Sequence, residues 1–179
     1  MEMTIQNAWS TRRLFITDVQ QDDILSAQEL YTKCAFMKEW TGKELDLHYV
    51  HRCVYEGDLP PNGHLESFRI QAVRNATDNV MIGLLVLYHG YPHGGCAYIT
   101  FLFFDPDQQR KGLAQELIQE LFSRLKQIGY NEVRANVQLK NWPALRFWTK
   151  VGLTTITGIY GDSHDTQDTF ADIELAKQL

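Results

Sequence analysis

Phe101-Leu102-Phe103-Phe104-Asp105-Pro106-Asp107-Gln108-Gln109-Arg110-Lys111-Gly112-Leu113-Ala114 changes character halfway along. The run 96–104 leading into it is almost continuously apolar, as strands covered on both faces are. Pro106, which has no N–H to give a sheet, ends that run. Downstream, Leu113, Leu117, Ile118, Leu121, Phe122, Leu125 and Ile128 fall on one face of a helix, and Gly129 stands where a C-terminal glycine belongs. The polar turn between strand and helix carries the chemistry. A helix N-terminus exposes unpaired N–H groups at the positive end of its dipole, and these attract anions. Gly112 and Ala114 leave the backbone uncovered, and Arg110 and Lys111 add positive charge. Together these residues suit a pyrophosphate. Neither G-x-x-x-x-G-K-[ST] nor an early G-x-G-x-x-G occurs, so those two phosphate loops are set aside. A basic helix start with an ordinary glycine remains the bland alternative on these residues alone.

Upstream, 13–19 alternates as a strand. Asp22 and Asp23 then precede apolar residues at helical spacing from Ile24 to Ala35. A weaker helix spans about 46–55, with Leu47, Val50 and Val54 on one face. The segment 57–63 reads as a loop. Runs 67–74 and 80–88 form two strands joined as a hairpin, and 89–95 is a loop holding His89 and His93. Downstream of the central helix, 132–139 is a strand. Asn141 caps a short helix with Pro143 in its first turn, and Gly152 stops it. Strands 154–160 and 169–175 close the chain around a polar loop with Asp162, His164, Asp165 and Asp168. The order β-α-α-β-β-β-α-β-α-β-β predicts a mixed α/β sheet with helices on both faces, one domain over 1–179.

Composition narrows the partners. The 179 residues are 44% hydrophobic and 22% charged, enough for a core. A net charge of -5, from 17 Lys and Arg against 22 Asp and Glu, argues against nucleic acid, which rewards a clustered basic surface. Cys34, Cys53 and Cys96 lie far apart without a CxxC pair, so free thiols and a cytoplasmic setting are expected. Residues 1–4 do not open a basic-then-apolar leader, and no apolar run approaches the roughly 20 residues of a membrane span. His48, His51 and Cys53 lack a fourth ligand, so no metal is expected. Trp142, Phe147 and Trp148 read as packing rather than as a base-stacking platform.

Residues 109–114 match the Q/R-x-x-G-x-G/A signature of the Gcn5-related N-acetyltransferase (GNAT) family, and 102–106 resembles the strand preceding it there. Asn141, Ala144, Phe147, Gly152 and Leu153 resemble that family's later N-x-x-A-x-x-F-Y-x-x-x-G-F helix. The element order is similar over almost the whole chain. The resemblance implies an acetyl-CoA-dependent N-acetyltransferase acting on a primary amine of a small molecule or peptide by direct attack. Gln109, Arg110, Lys111, Gly112, Leu113 and Ala114 would hold the CoA pyrophosphate. Leu102 and Phe104 would pair their backbone with the pantetheine arm, and Asn141, Phe147 and Trp148 would line its other side. A backbone N–H of this strand, taken as that of Phe104, would stabilise the oxyanion.

Two positions depart from the family. Trp148 stands where a tyrosine acid is usual, and an indole N–H is no practical acid. Tyr98 stands where some members place a glutamate base. Tyr98 and Thr100, read as sharing a strand face with Leu102 and Phe104, are candidates to orient the acceptor. Glu66 and Tyr160 are further candidates. Glu39, Glu44, Asp46, Asp58 and Asp162 point toward a cationic acceptor, walled by the two N-terminal helices, the loop 57–63 and the loop after Tyr160. A homodimer is compatible with this reading. A non-catalytic acyl-CoA-binding module, or an acyltransferase with another acyl chain or acceptor group, remains as the alternative.

Overall fold

The computed structural model describes residues 4–164 and 166–179; Asp165 of the polar loop and residues 1–3 lie outside the described residues. Eight strands form one sheet: β1 (Ala8–Ser10), β2 (Leu14–Asp18), β3 (Phe68–Asn75), β4 (Met81–His89), β5 (Cys96–Phe104), β6 (Glu132–Gln138), β7 (Thr155–Gly161) and β8 (Ala171–Gln178). Their order is β1-β2-β3-β4-β5-β6-β8-β7. Only β5 and β6 pair in parallel; the other neighbours are antiparallel. A parallel pair needs a long crossover, which α4 (Leu113–Gln127) supplies. The remaining helices are α1 (Ile24–Thr32), α2 (Lys38–Thr41), α3 (Tyr49–Tyr55) and α5 (Trp142–Lys150). Among the described residues no helix is long and apolar enough to cross a membrane.

Each face of the sheet has its own core. On one, Leu117, Ile118, Leu121 and Leu125 of α4 and Trp148 of α5 pack on Leu85, Leu87, Ile99 and Phe104. On the other, Ala27 and Leu30 of α1 and Tyr49, Val50 and Cys53 of α3 pack on Ile70, Leu84, Val86 and Phe103. The expected mixed sheet with helices on both faces is therefore what forms.

Several readings need correction. β1 has only three residues, too few to show a period; it is held by Trp9, whose indole donates to Gln71 Oε1 at 3.0 Å. α2 follows a 3₁₀ turn and stops at Gly42, which takes a positive φ of 67°. Leu47 precedes α3 and is exposed rather than sharing its inner face. His89 is no loop residue: it ends β4 fully buried, accepting from the Ile5 N–H at Nε2 (3.0 Å) while Nδ1 lies 2.9 Å from the Ser67 carbonyl.

The consequential correction concerns β5. Its pairing with β4 slips between Val86 and Leu87, where Phe101 and Ile99 are successive partners and Thr100 is extra. Such a bulge reverses the alternation of side chains. Leu102 and Phe104 therefore face α4 with Ala97 and Ile99, whereas Tyr98 lies on the opposite face with Phe101 and Phe103.

All three cysteines are free and buried, and burial pushes each thiol up to about 12. Burial likewise drives the His89 imidazole down to about 4 from 6.5, with the Arg69 charge acting the same way against the Ser67 hydrogen bond. The unfolded chain binds the proton first as pH falls. The neutral histidine thus contributes fully above about pH 6.5, and its contribution disappears as pH falls toward 4. The shift corresponds to about 3 kcal/mol. Denaturant unfolding from pH 7 to 5 should show wild-type stability falling more steeply than that of His89→Gln. Parallel slopes would contradict the assignment.

Candidate active site

β5 passes into α4 through a tightly organised turn. Asp105 accepts from the Asp107 N–H at 3.1 Å, and its carboxylate pairs with Lys33. The Gln109 amide reaches back to the Phe104 carbonyl at 2.8 Å, tying the loop to the strand end. Arg110 and Gly112 then adopt positive φ values of 59° and 78°. Gly112 occupies the N-cap of α4 in the left-handed conformation and offers no side-chain cap, so the first N–H groups of the helix have no capping side chain. A Cβ placed at Gly112 would meet only Arg13 Nη2, at 3.5 Å. Arg13 is fixed there by Glu116 (Nε to Oε2, 2.6 Å) and by the Lys111 carbonyl (Nη1, 3.0 Å). Uncapped N–H groups, an open glycine and a fixed guanidinium are groups of the kind that suit an anion.

The second feature is a cleft. β5 and β6 pair from Cys96↔Glu132 to Ile99↔Ala135 and no further, although both strands continue. They part where the bulge bends β5. The Asp105 N–H bonds to Ile82 on the β4 side. Alternation along the strand then turns the Phe104 and Leu102 N–H groups to the other edge, where β6 has left. With the Phe104 carbonyl occupied by Gln109, its N–H is left facing the gap, as is that of Leu102.

A cavity of about 660 Å³ fills the gap. It runs from Gln109, Arg110, Gly112, Leu113 and Ala114 past Leu102 and Phe104 to Asn141, Phe147 and Trp148. Thus most of the expected binding residues line one space, and Lys111 lies beside it, its ammonium 3.0 Å from Gln108 Oε1. Asn141 is buried and caps α5, accepting from the Ala144 N–H at 3.1 Å. Trp148 is buried against the cleft, whereas Trp142 is exposed and takes no part in the expected packing.

The other candidates lie elsewhere. The bulge places Tyr98 behind the cleft, donating to Glu174 Oε2 at 2.9 Å. Burial first, then that carboxylate, pushes its phenol well above the ordinary value, so Tyr98 is a fixed neutral donor rather than an acid near neutrality. Burial alone would raise Glu174, but Thr157, Tyr98 and Arg134 donate to it and hold it below the usual carboxylate range. Tyr160 is 55% exposed on the edge strand β7. Glu66 is exposed in a 3₁₀ turn, and the loop 57–63 does not line the cavity. Of the acidic residues, Glu44 pairs with Lys38 and Asp46 with Arg52, which weakens the charge argument for a cationic acceptor. His93, Cys96 and Glu132 offer ligand atoms within 4.8 Å of one another at the far end of β5, although Glu132 is already paired with Arg134. Arg13, Asn136 and the cluster Phe36, Met37 and Trp40 also border this region and were not singled out by spacing. Arg13 belongs to no motif, and Phe36, Met37 and Trp40 sit in the 3₁₀ turn and short helix α2 that periodicity misses.

The model of the acetyltransferase (GNAT) family matches residues 25–153. No curated protein matches in sequence. Among solved structures, an acetyltransferase of the GNAT family from Bacillus anthracis superposes with a TM-score of 0.70 at 18% identity, covering 96% of this chain and 98% of that one. The ribosomal-protein-S18-alanine N-acetyltransferase from Escherichia coli gives 0.65 at 16% identity, covering 92% and 93%. The spermidine/spermine N-acetyltransferase from Vibrio cholerae gives 0.64 at 14% identity, covering 93% and 92%. At these identities the likeness is one of fold.

Gly112→Asp sets a carboxylate against the anion site on backbone that disfavours any side chain. Wild-type protein should gain thermal stability from acetyl-CoA, with about 2.7 kcal/mol expected at a hundredfold excess over Kd. The variant should fold and show no such gain. An equal melting-temperature shift in both proteins would exclude this turn as the binding site.

Proposed function

The chain belongs to the acetyltransferase (GNAT) family, and from that premise we propose that it is an N-acetyltransferase, acting as one domain, that moves the acetyl group of acetyl-CoA to a primary amine. The observation that carries this reading is the cleft itself. Its open strand edge, bearing the Phe104 N–H, runs into an uncapped helix start beside Arg13. The cavity residues fit an acyl-CoA: anion-binding groups at one end, a backbone edge to pair with the pantetheine amides, and an apolar wall from Phe147 and Trp148.

In this reading the N–H groups at 112–114 and the Arg13 guanidinium hold the pyrophosphate. Leu102 and Phe104 align the arm, and the Phe104 N–H donates to the oxyanion formed when the amine attacks the thioester carbon. The amine loses its proton as the C–N bond forms, and the CoA thiolate leaves as the C–S bond breaks. A thiol of pKa about 8.5 needs no strong acid to depart. Trp148 therefore shapes the wall rather than donating a proton. Two structural neighbours are named for a protein alanine and for polyamines, which agrees with an amine acceptor here. The non-catalytic acyl-CoA-binding reading draws on Trp148 in the tyrosine's place and on Tyr98 being committed to Glu174.

Release of free CoA from acetyl-CoA, followed with spermidine, tyramine, lysine and a peptide with a free N-terminus, separates the two. At least one amine should accelerate release well above hydrolysis; none doing so would contradict the enzymatic reading. With the best amine, Trp148→Phe should keep turnover within a few-fold, because a ring still fills the wall. A general acid is worth about 10² to 10⁴ in rate, so a loss of a hundredfold with intact acetyl-CoA binding would make the indole catalytic. Turnover should rise with pH as the amine deprotonates.

A further inference from the structure

Asn136 is the first residue of β6 beyond its pairing with β5, and it lines the cleft where the two strands part, level with Thr100. Its amide nitrogen donates to Asp172 Oδ2 on β8 at 3.0 Å. That contact leaves Oδ1 as the uncommitted end of the amide. Oδ1 is buried and, among the described residues, has no hydrogen-bond partner. A buried acceptor without a donor is costly, and native structures rarely keep one without a use.

The neighbourhood indicates what the donor is. Asn136 projects from the face of β6 that carries Glu132, Arg134 and Gln138, opposite Val133, Ala135 and Val137 in the α4-side core. Arg134, the nearest cation on that face, is neutralised by Glu132 and Glu174. Among the described residues Asp172 makes no ion pair. A carboxylate accepting from Nδ2 polarises the amide and makes Oδ1 a stronger acceptor. The thioester offers no donor of its own, whereas an attacking amine must point its N–H bonds away from the carbon it attacks.

We propose that Asn136 Oδ1 accepts a hydrogen bond from the nitrogen of the acceptor amine, and that Asp172 is the positioning residue that holds and polarises the amide. The inference rests on the N-acetyltransferase reading and deepens it by assigning the amine subsite.

The contact is tested without turnover by titrating the fastest amine of the panel above, by calorimetry, into protein saturated with CoA. Asn136→Ala should weaken amine binding about tenfold, the worth of one hydrogen bond. Its thermal shift with acetyl-CoA should stay at the wild-type value. Steady-state rates should show the loss mainly in KM for the amine. The exchange Asn136→Asp with Asp172→Asn keeps one amide and one carboxylate in contact and should restore most of the affinity. Amine binding within twofold of wild type in Asn136→Ala would overturn the proposal. So would loss of the acetyl-CoA shift, which would assign Oδ1 to the CoA arm or to the fold. Should no amine of the panel accelerate CoA release, the titration is run with spermidine; wild-type binding that Asn136→Ala weakens about tenfold would then contradict the enzymatic reading alone and support the contact.

Discussion

The separation of β5 from β6 beyond the Ile99↔Ala135 pair governs the rest of this structure. A sheet interior normally satisfies every backbone N–H and C=O, so a gap between two central strands is unfavourable unless something fills it. Here the gap lies at the C-terminal ends of the only parallel pair, where the crossover helix begins. One opening therefore brings together a strand edge with free N–H groups and a helix N-terminus with the same deficit. In the proposed reading both deficits would be met by one extended ligand carrying amides along its length and a pyrophosphate at its end. The bulge at Thr100 bends β5 away from β6, and the Gln109 side chain ties down the Phe104 carbonyl so that the N–H remains.

The bulge also divides the labour between the two faces. By reversing the alternation it turns Leu102 and Phe104 toward α4 and sends Tyr98 to the polar side. There Tyr98, Thr157 and Arg134 converge on Glu174, a carboxylate stabilised by its donors against the cost of its burial. That network is closed and rigid. It holds β5, β6, β7 and β8 in register beside the cleft and leaves the Asn136–Asp172 pair as the open polar feature of this side. Rigid elements around an adaptable opening are the usual way a site keeps its geometry while its acceptor side varies.

The parts legible in the sequence were those carried by long periods or by special backbone. The α4 stripe, the β5 run and Gly112 announce themselves because helix burial, strand burial and an uncovered backbone each demand a residue type; the left-handed φ of Gly112 is legible only in the structure. The cleft-lining residues from Gln109 to Trp148 followed from motif position and mostly share one cavity. What escaped depends on long-range geometry. A single extra residue in β5 leaves no mark in composition, so simple alternation puts Tyr98 on the wrong face. Arg13 reaches the start of α4 from the turn between β1 and β2, far away in sequence, and His89 is buried by partners as distant as Ile5. The 3₁₀ turn and short α2 lack the two turns a period needs, which hides the apolar wall of Phe36, Met37 and Trp40.

Backbone hydrogen exchange with and without acetyl-CoA tests the central claim most directly, because the account places the ligand on named N–H groups. Saturating acetyl-CoA should slow exchange in peptides covering 101–115 and 136–148, with little change in 68–75 on the remote side of the sheet. Unchanged exchange at 101–115, or protection confined to the helices α1 and α3, would contradict it.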